Sequence, residues 1–389
     1  MFELLRNPSP PNQRMSSLQN STPSILAFPM HGQQKLLSEG YRTRDGHMIE
    51  WLGKLNAGRG PVAVVSRPEP QLLRPLTRKI LQLPAAPNTI AFDSYSWSIP
   101  KLGDRRAWWL QSKNDYKLPN VAPDTPAVIW NPLVALSNIW AQLQEGDRRI
   151  SVDLLDDWSI HYAFESIWPQ LEVAYRRLFD RADSVTVNAE GTLALAHRFG
   201  RLDATLLTNG CDPERFDSTS TASGPITVGY VGKIGKRVNL ELVREAAEKL
   251  PSVNFVFAGP ILDNEYKPVM ESLPNLRLLG DVHYRDVPSL LQSFDIGWVP
   301  HNVGEFEVGG DVLKTYEYRA AGLPVLTTPV AGAGQRNLGS VYTLPAEDHA
   351  KWIETKVGSR QRIPREPGEI PQIHTWRHKT EFVLKELNR

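Results

Sequence analysis

Apolar residues in the second half of the chain fall in short runs divided by amphipathic stretches. "PITVGYVG" (225–232), "VNFVFAG" (253–259), "LRLLG" (276–280), "DIGWVP" (295–300) and "PVLTTP" (324–329) predict buried strands. Between them, "VNLELVREAAEKL" (238–250) and "DVPSLLQSF" (286–294) predict helices, the second with Asp286 as N-cap and Pro288 in its first turn. The first half repeats the theme. "SILAFPM" (24–30), "PVAVVS" (61–66), "AVIWN" (127–131), "ISVDLLD" (150–156), "SVTVNA" (184–189) and "ATLLTNG" (204–210) read as strands. "HMIEWLGKL" (47–55) and "YAFESIWPQLEVAYRRLFDRA" (162–182) read as helices, Pro169 bending the latter. Strands alternating with helices predict an α/β protein with two Rossmann-like domains and parallel sheets. The expected division is a flexible tail over 1–22, a first domain over 23–217, a Ser/Thr/Gly-rich linker over 218–225, a second domain over 226–374 and a terminal amphipathic helix over 375–389. Beyond about 346 the pattern dissolves until that helix.

Composition narrows the function. Hydrophobic residues make up 41% and charged residues 22% of the 389, as in a water-soluble globular protein. Cys211 is the only cysteine, which excludes an intrachain disulfide and a Cys-rich zinc site. The longest apolar candidate, "PAVIWNPLVALSNIWAQL", is interrupted by Asn131, Pro132, Ser137 and Asn138, and the N-terminus lacks a signal-peptide pattern. A cytoplasmic protein is expected, with peripheral contact at the inner face of a membrane left open. Net charge is +1, yet residues 1–150 hold 18 Lys and Arg against 11 Asp and Glu, so the first half is basic. That suits an anionic partner such as a phosphate, a nucleic acid or an anionic membrane, or is surface variation.

In parallel sheets, ligands sit beyond the carboxyl ends of the strands. After the first strand of the second domain, "GYVGKIGKRVN" brings Gly232 together with Lys233 and Arg237, glycine for close backbone approach to a phosphate and cations to neutralise it. Its spacing matches neither the dinucleotide fingerprint nor a Walker A loop. Further on, "GGDVLKTYEYRAAGLPVLTTP" (309–329) predicts a helix starting near Asp311. Its bare N–H groups at Gly310, Asp311 and Val312, with Lys314 one turn in, would favour an anion. Glu317, three residues later, could accept two hydroxyl hydrogens from a ribose. The alternative is a surface Lys–Glu pair. In the first domain, "DLLDDWSIH" ends a strand with Asp156 and Asp157, candidates for a cleft carboxylate acting on a sugar hydroxyl or as base, or for helix capping. No Asp-x-Asp, His-Glu-x-x-His or Gly-x-Ser-x-Gly occurs.

"LKTYEYRAAGLPVLTT" resembles the donor-binding helix of GT-B glycosyltransferases, in the large retaining group that includes bacterial cell-surface sugar transferases. "TVGYVGKIGKR" resembles that group's pyrophosphate loop, and "LLTNGCDPERF" (206–216) its segment before the interdomain linker. "DLLDDWS" and "RADSVTVNAE" resemble its first-domain core. The resemblance covers roughly 150 to 330. It implies that Glu317 binds ribose, that Lys233 and Arg237 hold the pyrophosphate, and that the N–H groups of Gly310, Asp311 and Val312 hold the distal phosphate or sugar. It also implies a donor-binding second domain, an acceptor-binding first domain, a final helix crossing back to the first domain, and no resident cofactor or metal. Many members carry a glutamate where this chain has Gly309, and a His-Asp pair where it has Asp156 and Asp157. The loop "HGQQKLLSEGYRTRDGH" (31–47) stands where that fold receives its acceptor, which makes Arg42, Arg44, Asp45 and His47 acceptor candidates. The expected activity is sugar transfer from a nucleotide diphosphosugar to a glycan, lipid-linked saccharide or small molecule. Transfer to modified bases in DNA and a non-catalytic nucleotide-sugar binder are the alternatives.

Overall fold

The computed structural model describes residues 22–73, 85–100, 104–304, 306–330 and 332–389. The expected N-terminal tail lies outside them, except for Thr22. In the first domain, β1 (Ile25–Phe28), β2 (Val62–Val65), β3 (Glu69–Pro70), β4 (Thr89–Phe92), β5 (Tyr95–Ser96), β6 (Ala127–Ile129), β7 (Ile150–Leu154), β8 (Ser184–Val187) and β9 (Thr205–Leu206) follow in chain order. Seven of them form one sheet, ordered β4-β2-β1-β6-β7-β8-β9, while β3 and β5 pair as a short ribbon. A second sheet holds β10 (Thr227–Val231), β11 (Asn254–Ala258), β12 (Leu276–Gly280), β13 (Ile296–Val299), β14 (Val325–Thr327) and β15 (Val341–Thr343), ordered β12-β11-β10-β13-β14-β15. Pairing is parallel throughout.

The central strands show why. All residues of β1, β2, β6, β7 and β13 are buried, because helices cover both faces of each sheet. In the first sheet the chain order reverses between β1 and β6, and in the second between β10 and β13. These reversals open a crevice at the strand ends in each domain.

Helices α1 (Gln33–Glu39) and α2 (Arg44–Leu55) occupy most of the segment expected to be a polar loop. A 3-10 turn over Tyr162–Ile167 precedes α3 (Trp168–Arg181). Pro169 stands in the first turn of α3, so it starts the helix rather than bending it. Then follow α4 (Glu190–Arg198), α5 (Leu240–Lys249), α6 (Leu313–Ala320), α7 (His349–Val357) and α8 (Trp376–Leu387). The Asn239 side chain caps α5 by accepting from the Leu242 N–H, 2.9 Å away.

The chain passes between the sheets twice, and the two passages run side by side. Cys211 and Thr375 form a parallel bridge. The Cys211 N–H donates to the His374 carbonyl at 3.0 Å, and the Trp376 N–H to the Cys211 carbonyl at 3.1 Å. Beyond this point α8 packs on the first domain, where Trp376, Val383 and Leu387 join Met48, Ile49 and Leu52 in one core. Burying Trp376 completely stabilises this docking by at least ~1.5–3 kcal/mol.

Candidate active site

The strand ends of the second domain gather cations. Gly232 follows β10, and a Cβ there would lie 2.9 Å from Lys314 Cε and 3.3 Å from its Nζ, so the end of that lysine runs against the bare backbone of the loop. Lys314 also sits 5.0 Å from the centre of the Tyr230 ring. Arg237 reaches across to the first domain, its Nη2 donating to Asp156 Oδ1 at 3.0 Å. Burial lowers the Lys314 ammonium to about 8, with the Arg237 charge acting in the same direction. Lys233, with much of its surface open, is lowered to about 8 by desolvation inside the cleft, partly offset by Glu39 and reinforced by Lys35, Arg42 and Arg237. An anion arriving here would relieve that mutual repulsion.

Glu317 lies on the same helix and is 4% exposed. Its Oε1 has no hydrogen-bond partner. Burial raises its carboxyl to about 7, against the pull of the Tyr284 phenol and the Lys314 ammonium. An unsatisfied buried acceptor normally costs 1–3 kcal/mol, which a bound hydroxyl donor would relieve. At the start of α6, Val312 is the N-cap and no side chain caps it. The N–H groups of Gly310, Asp311 and Val312 donate no hydrogen bond to the described residues. The Asp311 carboxylate, in contrast, is fully engaged. It accepts from the Asn209 N–H at 2.8 Å, the Tyr316 hydroxyl at 2.7 Å and Arg336 Nε at 3.1 Å. Asp311 can therefore offer a ligand its backbone, not its side chain.

On the first-domain side the adjacent aspartates part company. Asp156 turns to the cleft, against Arg237 and so close to Gly310 that a Cβ there would overlap Asp156 Oδ1. Burial raises its carboxyl and Arg237 opposes the rise. Asp157 turns into its own loop, where Oδ1 accepts from the Ser159 N–H at 2.8 Å and Oδ2 lies 3.6 Å from Arg198 Nη2. Its environment is that of a turn cap.

Two histidines absent from the sequence candidates stand beside this cluster. The His161 Nδ1 accepts from the Ala163 N–H at 3.1 Å, so the neutral ring carries its proton on Nε2. Burial, then the charges of Arg237, Arg106 and Lys233, hold it down at about 3. His31, just after β1, is buried and lowered by desolvation and by Lys233, Lys35, Arg67 and Arg106. It thus faces charge from both domains. In the sequence, His161 closes "DLLDDWSIH", four residues after Asp157, and His31 opens the 31–47 segment, but neither has a spacing that marks it.

The acceptor candidates of the 31–47 segment are held by contacts within the protein. Arg44 is 2% exposed and grips Asp153 with two 2.8 Å bonds while also donating to the Thr208 carbonyl and Asn209. Asp45 is wholly buried and accepts from the backbone of Met30 and His31 and from Thr43. His47 is wholly buried, stacked on Trp376 at 4.9 Å and edge-on to Tyr284 at 4.8 Å. Arg42 bridges Glu39 of its own domain and Asp281 of the other. The helices that replaced the expected loop turn these side chains inward, so they hold the cleft together and leave an acceptor little to touch.

Gly309, where relatives of this pattern carry a glutamate, has φ +74° and abuts α4. A Cβ on Gly191 would come within 2.5 Å of the Gly309 Cα, and the Thr192 N–H donates to the Gly309 carbonyl at 3.2 Å. At Gly309 itself a Cβ would meet the Gly191 backbone at 3.3 Å, and the left-handed φ is what a side chain would strain. Beside it Arg336, 5% exposed, donates to both Glu190 oxygens, at 2.8 and 2.9 Å, and to Asp311. This clasp ties α4 of the first domain to the start of α6, and nothing in the sequence pattern announced it.

Among the described residues, one trio could converge on a metal ion: His47, Glu50 and Asp212. Arg215 already occupies it, with Nη2 2.5 Å from Glu50 Oε1 and Nε 2.9 Å from Asp212 Oδ2, so the trio reads as an ion-pair knot.

Two parallel-sheet domains facing each other across such a cleft define the GT-B fold, as the first-domain and second-domain motifs led one to expect. Residues 225–356, in the second domain, match the model of a described family, the Glycosyl transferases group 1. Over 192 residues the chain is 26% identical to TuaH of Bacillus subtilis (strain 168), a protein assigned as a teichuronic acid biosynthesis glycosyltransferase. That match covers 46% of this chain and 48% of TuaH, so the chain spans about half the length of the curated relative. Sucrose-phosphate synthase from Thermosynechococcus elongatus superposes with a TM-score of 0.69 at 15% identity, covering 94% of this chain and 98% of that one. Anabaena HepE, solved in complex with UDP and glucose, superposes with a TM-score of 0.63 at 15% identity, covering 94% and 99%.

Proposed function

We propose that this protein is a glycosyltransferase that moves a sugar from a nucleotide diphosphosugar to an acceptor hydroxyl, without a metal ion. One observation carries the reading: the buried, unpartnered Glu317 Oε1 shares a helix with Lys314, which crosses the Gly232 loop beside Lys233 and Arg237. A nucleoside diphosphate satisfies all of these at once. The ribose diol donates to Glu317, and the diphosphate lies among Lys233, Arg237, Lys314 and the N–H groups of Gly310, Asp311 and Val312. Those same groups stabilise the charge that develops on the leaving diphosphate, the work done elsewhere by a metal ion. Asp156, beside Gly310, is placed to orient the donor sugar or the incoming hydroxyl. Retention at the anomeric carbon follows the resemblance. The likeness to TuaH supports a saccharide or lipid-linked saccharide as acceptor. A DNA acceptor gains less from the basic first half than its charge suggests, because Arg42 and Arg44 are engaged in ion pairs.

The test is a melting-temperature screen against UDP, GDP, ADP and their sugars, followed by turnover of the stabilising donor in excess EDTA. One nucleotide family should raise Tm, and its sugar should be consumed with EDTA present. Stabilisation by none of them would overturn the donor site. Consumption that stops in EDTA and returns with Mg²⁺ would overturn the metal-free mechanism.

A further inference from the structure

We propose that Asn209 is a positioning residue for the transfer: it aims the Val312 N–H at the distal phosphate of the donor. This role rests on the donor reading above and falls within "LLTNGCDPERF", a segment that reading leaves without a task. Asn209 is buried and stands two residues before the chain crossing at Cys211. It grips Asp311 of the second domain twice. Its N–H donates to Asp311 Oδ2 at 2.8 Å, and its side-chain Nδ2 donates to the Asp311 carbonyl at 3.0 Å. Which end of the amide faces that carbonyl is fixed from behind. Asn209 Oδ1 accepts from Arg44 Nη1 at 3.1 Å, and a guanidinium can only donate, so the NH2 end is left for Asp311. Arg44 is held in turn on Asp153 by two 2.8 Å bonds. Asp153 also accepts from Trp130 Nε1 and from the Thr186 hydroxyl, each at 2.6 Å. From Asp153 to Asn209 every member is buried, so water does not compete for these bonds.

The Asp311 carbonyl and the Val312 N–H belong to one peptide unit. In a planar trans peptide the two point in opposite directions. Holding the carbonyl toward Asn209 therefore turns the Val312 N–H away from it, and that N–H donates to none of the described residues. Val312 is the N-cap of α6, where no side chain supplies a partner. The hold also polarises the peptide: a donor on the carbonyl, backed by the Arg44 charge, strengthens the N–H at the other end. One peptide pair earlier the same device recurs in backbone form. The Thr192 N–H holds the Gly309 carbonyl at 3.2 Å, which turns the Gly310 N–H in the same manner. Residues of the first domain thus set the direction of two N–H groups that the second domain offers to an anion.

The experiment compares Asn209→Asp with wild type by calorimetry. The ligands are whichever of UDP, GDP and ADP stabilises wild type, and the corresponding monophosphate. An ionised aspartate keeps the shape and the acceptor for Arg44 but cannot donate to the Asp311 carbonyl. The monophosphate lacks the distal phosphate that the Val312 N–H meets. Diphosphate affinity should fall about tenfold or more, and monophosphate affinity should stay within about twofold. Equal losses for the two ligands would overturn the role, because a loosened domain junction weakens both. Unchanged diphosphate affinity in the folded variant would overturn it as well. If Asn209→Asp does not fold, Asn209→Ser makes the same comparison without a new buried charge. Wild type that binds the monophosphate as tightly as the diphosphate, or binds neither, would instead overturn the donor reading and this role with it.

Discussion

Lys233, Lys314 and Glu317 titrate near neutrality because each is a charge desolvated in one cleft. Glu317, raised from 4.5 to about 7, holds in the folded state a proton that the unfolded chain releases, so its contribution to stability is lost as pH rises across that window. The lysines, lowered from 10.5 to about 8, do the reverse: the unfolded chain binds their protons more tightly, and stability rises with pH between those values. Ligand affinity has its own profile. Glu317 must be ionised to accept two hydroxyl hydrogens, and the lysines must be charged to hold a diphosphate. Nucleoside diphosphate affinity, followed by calorimetry across pH, should peak between about 7 and about 8. A flat profile would remove these groups from the site. The aspartates make a second test. Asp156→Asn should lower turnover by about 10²-fold or more with little change in Tm. Asp157→Ala should lose roughly 0.5–2 kcal/mol of stability, the scale of a cap, and leave turnover nearly intact. The pair was legible as a unit in "DLLDDWS", but which carboxylate turns to the cleft depends on Arg237 and Ser159, which only the folded chain brings near.

At the scale of elements, periodicity located the central strands and the edge strands β9 and β12, and missed β4 and β15. β4 and β15 are only partly buried, so neither "TIAF" nor "VYT" carries the apolar run that marks a central strand. The helix α7 was hidden because it buries only His349, Ala350 and Ile353. Helix α1 and the first turn of α2 were read as a polar loop because Gln33, Glu39, Arg44, Asp45 and His47 are polar yet buried, which breaks the apolar periodicity of a helix, whereas 47–55 was legible as one. The Arg336 clasp belongs to this scale, since it locks one helix to the start of another. Arg336→Gln leaves Glu190 and the buried Asp311 without their cation. It should cost about 3–5 kcal/mol, the range for breaking a buried pair, measured by urea unfolding. A loss below about 1 kcal/mol, the value of a surface pair, would show that the domains meet without it.

For the molecule as a whole, the alternation of strands and helices was enough to call for two parallel-sheet domains, and the motifs after β10 and around α6 marked where a donor would sit. The first-domain face was less legible. Its polar loop residues support the closed arrangement, and the cleft-facing groups, His31 and His161, are single residues without a spacing that distinguishes them from core histidines. The contacts that join the two halves include Arg237 with Asp156, Arg42 with Asp281, Arg336 with Glu190, and the paired chain crossings at Cys211 and Thr375. The central claim is that a nucleoside diphosphate lies in the cleft with its ribose on Glu317. The most direct measurement is calorimetric binding of the stabilising nucleoside diphosphate to wild type and to Glu317→Ala, each confirmed folded by its Tm. Loss of a charge-assisted hydrogen bond should weaken binding by about 1.5–3 kcal/mol, roughly 10- to 150-fold. Affinity unchanged in the folded variant would contradict the account and leave Glu317 as no more than a buried neighbour of Lys314.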